Sequence, residues 1–168
     1  MKSVQFLRVG RLAISTGLPY NQTCMRVVGL DPGSRRIGVA LSDELGLTAQ
    51  PRTTVSRGSD KETLDRIVEA LDGDQPDIVV IGLPLRLDGS EGGAARKARE
   101  LAKIVETRFG VPVELWDERL TTVEAERVLR AAGMRGRGRT GLIDRVAAAI
   151  MLQSYLDAHR DRVREVEP

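Results

Sequence analysis

Two apolar runs without alternation constrain this chain more than any other feature. They are Val27-Val28-Gly29-Leu30 and Ile78-Val79-Val80-Ile81. A strand that is half solvated alternates apolar and polar residues, whereas one buried on both faces does not. Strands of the second kind need cover above and below, so the chain must fold as a layered α/β structure. The first run stops at Asp31 and a Pro32-Gly33-Ser34 turn; the second stops at Gly82 and a loop rich in Gly and Pro.

The remaining pattern supplies the other layers. Arg36 to Leu41 reads as a second strand returning on the first. Leu47 to Val55 is a third extended stretch, and Pro51 assigns it to an edge. Ser59 or Asp60 can cap a helix from about Lys61 to Leu71, with Leu64, Ile67, Val68 and Leu71 on one face. After the strand Asp77 to Gly82 and the loop Leu83 to Gly93, a helix runs from about Ala94 to Phe109 and Gly110 closes it. Val111 to Trp116 is another strand, ending in Asp117-Glu118-Arg119. Thr121 or Thr122 caps a helix through Ala132, a Gly- and Arg-rich stretch spans Gly133 to Gly141, and a last helix runs from about Leu142 to His159. The order β-β-β-α-β-α-β-α-α gives a mixed five-stranded sheet, three antiparallel strands then two parallel, with helices on both faces.

At 168 residues the expectation is one domain, over 25–160, followed by a charged tail at 161–168. Residues 1–24 have no clean period and carry Lys2, Arg8 and Arg11 with no acid. They read as a disordered extension or as upstream sequence translated from a misplaced start. Without them the chain is near neutral, so the overall basicity is no argument for nucleic acid; local patches must carry it. No stretch is apolar enough to span a membrane. The single cysteine, Cys24, excludes an internal disulfide and a Cys-based zinc site, which fits a cytoplasmic protein. The single histidine, His159, argues against His-centred catalysis.

Carboxylates are the remaining candidates. Asp31 ends one buried strand, and Asp117 and Glu118 end another. In open α/β sheets, sites form at the carboxyl ends of strands. Asp144 opens the last helix on a face that otherwise carries Ala147, Ala148, Met151 and Tyr155. A carboxylate in such surroundings needs a partner or a metal. Only one of Asp117 and Glu118 is expected to join the cluster, because adjacent strand residues face opposite ways. The other is a ready partner for Arg119. Three converging carboxylates repel one another, and the usual remedy is Mg²⁺ or Mn²⁺ held by oxygen ligands. Two such ions ~3.5–4 Å apart suit phosphodiester hydrolysis, one activating water and the other stabilising the leaving oxygen. The bland alternatives are a turn-capping Asp31 and an Asp144 that merely complements the helix dipole.

Taken together, these segments resemble the YqgF family, also called RuvX, described as Holliday junction resolvases or as precursor small-subunit ribosomal RNA nucleases. The resemblance rests on Gly29-Leu30-Asp31-Pro32-Gly33 with Arg36-Ile37-Gly38-Val39-Ala40, and on Val80-Ile81-Gly82-Leu83-Pro84-Leu85 with Asp88-Gly89. Asp117-Glu118-Arg119-Leu120-Thr121-Thr122 and Ile143-Asp144 with Ala147 to Leu156 complete it, in the family's order, over about 25–158. It implies a ribonuclease H-like fold and metal-dependent cleavage of nucleic acid by Asp31, Glu118 and Asp144, with Asp117 as the alternate for Glu118. It further implies precursor ribosomal RNA, processed at its 5′ end, ahead of branched DNA. A junction resolvase would act as a symmetric dimer; either monomer or homodimer is compatible with the sequence.

Phosphate contacts have several candidates. Arg35, Arg36 and Arg119 lie beside the acidic strand ends, and Arg135, Arg137 and Arg139 sit in the Gly-Arg stretch. Gly33, Gly82, Asp88 and Gly89 are expected to line the cleft. Aromatic residues are scarce, so recognition should rest on backbone and shape rather than on base stacking. Two rival readings are an actin-like ATP-binding domain, suggested by Asp31-Pro32-Gly33-Ser34 before a strand, and a non-catalytic nucleic-acid or ribosome-associated binding protein.

Overall fold

A computed structural model of the chain describes residues 25–120 and 140–159. The expected helix through Ala132, the candidates Arg135, Arg137 and Arg139, the first 24 residues and the charged tail lie outside the described residues. In chain order the elements are β1 (Val27–Pro32), β2 (Arg36–Ser42), β3 (Ala49–Ser56), α1 (Asp60–Leu71), β4 (Ile78–Leu83), α2 (Gly93–Phe109), β5 (Val113–Asp117) and α3 (Thr140–Ala158). A short 3₁₀ turn, Glu118–Leu120, leads out of β5.

The five strands form one sheet in the order β3-β2-β1-β4-β5. β1 pairs antiparallel with β2, and β2 with β3. β4 runs parallel to β1, and β5 parallel to β4. The two non-alternating runs are therefore central neighbours, with Val28 opposite Val79 and Leu30 opposite Ile81. Pro51 sits on edge strand β3 beside the point where the β2–β3 register shifts. A residue with no N–H is tolerated there.

Each central strand feeds two cores. Val28 and Leu30 of β1, Ile37, Val39 and Leu41 of β2, and Val79 and Ile81 of β4 pack with Ile67 and Leu71 of α1 and Ala98 and Leu101 of α2. Val27, Ala40 and Val80 point the other way, against Ala148, Met151, Leu152 and Tyr155 of α3. The helices thus cover both faces, as the buried runs require. Truncating a fully buried residue such as Ile67 or Leu152 to Ala should cost about 2–5 kcal/mol.

Local signals set the helix ends. The Ser59 hydroxyl accepts from the Glu62 N–H and the Glu62 carboxylate accepts from the Ser59 N–H, a complete capping box for α1. Gly110 ends α2 at φ 65°. Helix α3 begins at Thr140, two residues earlier than the sequence suggests, and a tertiary bond holds that end: the Thr54 hydroxyl of β3 donates to the Gly141 carbonyl at 2.5 Å. Further along, the Gln153 side chain accepts from Ala49 N–H and donates to the Leu47 carbonyl. These bonds pin α3 across the β3 edge. Among the described residues, no helix is long and apolar enough to cross a membrane.

Candidate active site

Backbone parity decides which side chains meet at the carboxyl edge of the sheet. Val27, Gly29 and Asp31 share the α3 side of β1, so Asp31 extends past the core beneath the start of α3. Gly38 of β2, opposite Asp31 in the register, lies directly under α3: a Cβ built there would overlap the Asp144 carbonyl oxygen. At Gly29 a Cβ would come within 2.8 Å of the Leu152 Cβ. The two glycines let the helix lie close on the sheet, which brings Asp144 to the same edge as Asp31.

Glu118 arrives from the other side. It follows β5, one strand beyond β4, and its carboxylate lies over Gly82, where a Cβ would overlap Glu118 Oε1. Gly82 thus leaves the space through which Glu118 reaches toward Asp31. Asp117 turns away: its carboxylate accepts from the Arg119 guanidinium at 2.7 Å and from the Arg119 N–H at 3.0 Å. The two adjacent acids are separated because the chain leaves the strand at Asp117 and enters a 3₁₀ turn.

The electrostatics single out Asp31 and Glu118. Burial, and then the nearby Asp144 carboxylate, push the Asp31 carboxyl up to about 6. Burial pushes Glu118 up to about 7, with Asp31 and then Asp117 adding to the effect. Among the described residues neither has a cationic partner. Asp117 shows the contrast, since its bonds from Arg119 hold it below the usual carboxylate range. Asp144 is half-buried and does have a partner, since Arg36 Nε donates to its Oδ2 at 2.9 Å. The partner that its apolar helix face calls for is therefore supplied by Arg36. No three acidic, His or Cys side chains among the described residues form a ready-made metal cage.

The RuvX family profile, described as "Holliday junction resolvase", matches residues 25–158. The chain belongs to the RuvX family. A relative from Syntrophus aciditrophicus named "Putative pre-16S rRNA nuclease" is 51% identical over 80% of this chain and 89% of its own length. Relatives of the same name from Halothermothrix orenii and Myxococcus xanthus are 46% and 48% identical, over 79% and 86% of this chain and 95% of each relative. Among solved structures, Thermus thermophilus RuvC in complex with a Holliday junction substrate aligns with a TM-score of 0.50 at 21% identity. That alignment covers 80% of this chain and 96% of the other. The fowlpox virus resolvase bound to junction DNA also gives 0.50, at 14% identity, over 80% and 98%. These likenesses establish the ribonuclease H-like fold.

Within this RuvX-family chain the other expected site residues fall around the acids in different states. Arg35 is exposed in the β1–β2 turn and carries no ion pair among the described residues. Arg36 and Arg119 are engaged, with Asp144 and Asp117 respectively. Arg119 also donates to the Leu87 carbonyl at 3.4 Å. That bond ties the Asp88-Gly89 loop to the turn carrying Glu118, and Gly89 holds φ 84° there, a value that favours glycine. Gly33 is exposed in its turn, where a Cβ would come within 2.8 Å of the Arg36 carbonyl oxygen and crowd it. His159 lies fifteen residues beyond Asp144 along α3, about 22 Å at helical rise, against Tyr155. Sequence reasoning missed Gly38 and Gly29 as positioning residues. Glycine inside a strand, a recognised mark of close backbone approach, was the available signal.

Proposed function

We propose that this chain is a divalent-metal-dependent nuclease acting on precursor small-subunit ribosomal RNA. The observation that carries the reading is the pair Asp31 and Glu118, two carboxylates brought together with no cationic partner among the described residues. Holding them ionised near neutral pH costs free energy unless something positive is bound. A hard cation with oxygen ligands suits that donor set. Asp31 and Glu118 would hold it, with Asp144 joining when Arg36 lets go. Mg²⁺ or Mn²⁺, as one ion or two, would supply an activated water and charge stabilisation for the leaving oxygen.

The chain's own residues supply position. Gly38 and Gly82 set the carboxylates in place. Arg35 is available for a non-bridging phosphate oxygen, and Arg36 neutralises Asp144 until substrate or metal competes for either partner. The names of the relatives favour ribosomal RNA as the substrate, and the family description raises a four-way DNA junction as the second reading. One panel tests both: precursor small-subunit ribosomal RNA, unrelated single strands and a four-way junction, each with Mg²⁺, Mn²⁺ or chelator. Fastest metal-dependent cutting of the precursor is expected. Fastest cutting of the junction would replace ribosomal RNA with recombination, and binding of any substrate without cutting would favour a non-catalytic binding protein.

The Arg36–Asp144 pair yields a separate prediction. Partly exposed ion pairs contribute roughly 0.2–1 kcal/mol, so freeing Asp144 should tighten divalent cation binding by about fivefold at most. Calorimetric titration of Arg36→Gln with Mg²⁺ should show that gain. Weaker Mg²⁺ binding in Arg36→Gln would mean that Arg36 organises Asp144 for the cation rather than competing with it.

A further inference from the structure

The helical face opposite the acids opens at the same edge of the sheet. Gly33, Ser34 and Arg35 form an exposed turn directly after Asp31 and Pro32. The Arg57 N–H donates to the Arg35 carbonyl at 2.9 Å, which joins this turn to the connection between β3 and α1. Between that edge and α2 lies an open cavity of about 520 Å³, bounded by Ser34, Arg57, Lys97 and Lys103, with Asp60 and Glu100 among the other lining residues. The volume falls within the roughly 300–1,000 Å³ of ligand clefts.

The pairing of the cations is the second observation. Arg26, Arg36, Arg52, Arg99 and Arg119 each pair with a carboxylate. Arg57, Lys97 and Lys103 have no ion pair among the described residues, although two acids line the same cavity. Three uncommitted cations around one open cleft present a surface for phosphate. Ser34 lies three positions beyond Asp31, at most about 11 Å of chain. A strand lying on the acids and crossing the exposed turn would enter the cavity within a few nucleotides.

We propose that this cavity binds the sugar-phosphate backbone of the substrate strand on one side of the scissile phosphate. The proposal rests on the nuclease reading for the direction of the strand. Asp60 and Glu100 repel phosphate, so the backbone follows the cations and is held by charge and shape, not by base identity.

The test uses the full chain with Asp31→Asn, to prevent cutting, and adds Arg57→Gln, Lys97→Gln and Lys103→Gln. These side chains are exposed or half-buried, so the fold should tolerate their loss. Fluorescence anisotropy with RNA and DNA single strands over a salt series reads the affinity and its salt slope. Each phosphate neutralised contributes about 0.7 to that slope on single strands. Removing the three cations should therefore lower the slope by about 2 and weaken binding at least tenfold on any strand the parent binds. Arg108→Gln, in the last turn of α2, should change neither. An unchanged slope and affinity in the triple variant would overturn the proposal, as would a parent that binds no strand. If the wild type cuts and the triple variant binds normally, the cavity fails and the nuclease reading stands. If the wild type never cuts but the triple variant loses binding, the cavity stands and the nuclease reading fails.

Discussion

Asp31→Asn should make the metal-free protein more stable while removing its activity. Well below the ordinary value of 3.8 the carboxyl is neutral both folded and unfolded, so it contributes no difference. Above pH ~6 the unfolded chain carries an ionised Asp31 at little cost, whereas the folded chain must ionise a carboxyl pushed up to about 6 by burial and Asp144. Stability from this group is therefore lost as pH rises through the folded value. One pKa unit corresponds to about 1.4 kcal/mol, which sets a ceiling near 3 kcal/mol, and residual solvent contact reduces the expected gain to about 1–2 kcal/mol. The substitution should also ease Glu118, whose carboxyl Asp31 helps to raise. Urea unfolding in chelator at pH 8 and at pH 4 measures this. The gain should be full at pH 8 and fall to a small fraction of that at pH 4. Equal stability of the two proteins at pH 8 would show that Asp31 carries no unrelieved charge.

Gly38→Ala should damage both stability and activity through a single methyl group. The new Cβ would overlap the Asp144 backbone carbonyl, and a backbone cannot swing aside as a side-chain tip can. Either α3 lifts from β2 or the strand bends away. Overpacking of this kind costs about 1–3 kcal/mol. Lifting the start of α3 also carries Asp144 away from Asp31, and a shift of about 1 Å at a catalytic group can cost ~100-fold in rate. Denaturant unfolding and single-turnover cleavage of the same variant should therefore fall together. At Gly82→Ala the nearest atoms belong to the Glu118 side chain, which can move, so it should lower cleavage with a smaller change in stability. A Gly38→Ala protein as stable and as active as the wild type would mean that α3 is not held this close to the sheet.

Much of this architecture was legible because the strongest signals were local. The unbroken runs at Val27 and Ile78 imply burial on two faces, and the sheet places them side by side. Ser59 and Glu62 mark a helix start by their spacing, and the capping box is present. What stayed hidden depended on contacts distant in sequence. Gly141 read as part of a loop because nothing nearby reveals Thr54 donating to its carbonyl. Strand β5 begins at Val113 rather than Val111, since Pro112 lies between them; the Pro112 carbonyl still accepts from the Val79 N–H at 3.0 Å. Within the candidate site, the positions of Asp31 at a strand end and of Asp144 on a helix face were readable. The choice between Asp117 and Glu118 was not, because it depends on where the strand gives way to a 3₁₀ turn and on Arg119 folding back onto Asp117. The engagement of Arg36 by Asp144 spans more than a hundred residues and left no trace in the local pattern.

The central claim is that Asp31 and Glu118 form a metal-dependent centre for phosphodiester hydrolysis. Single-turnover cleavage of precursor small-subunit ribosomal RNA tests it most directly, with wild type, Asp31→Asn and Glu118→Gln compared in Mg²⁺ and in chelator. The account predicts cutting by the wild type in Mg²⁺, none in chelator, and a loss of at least about a thousandfold in either variant, an effect of roughly 4 kcal/mol on the barrier. Cutting that proceeds equally in chelator, or at the wild-type rate in both variants, would contradict it.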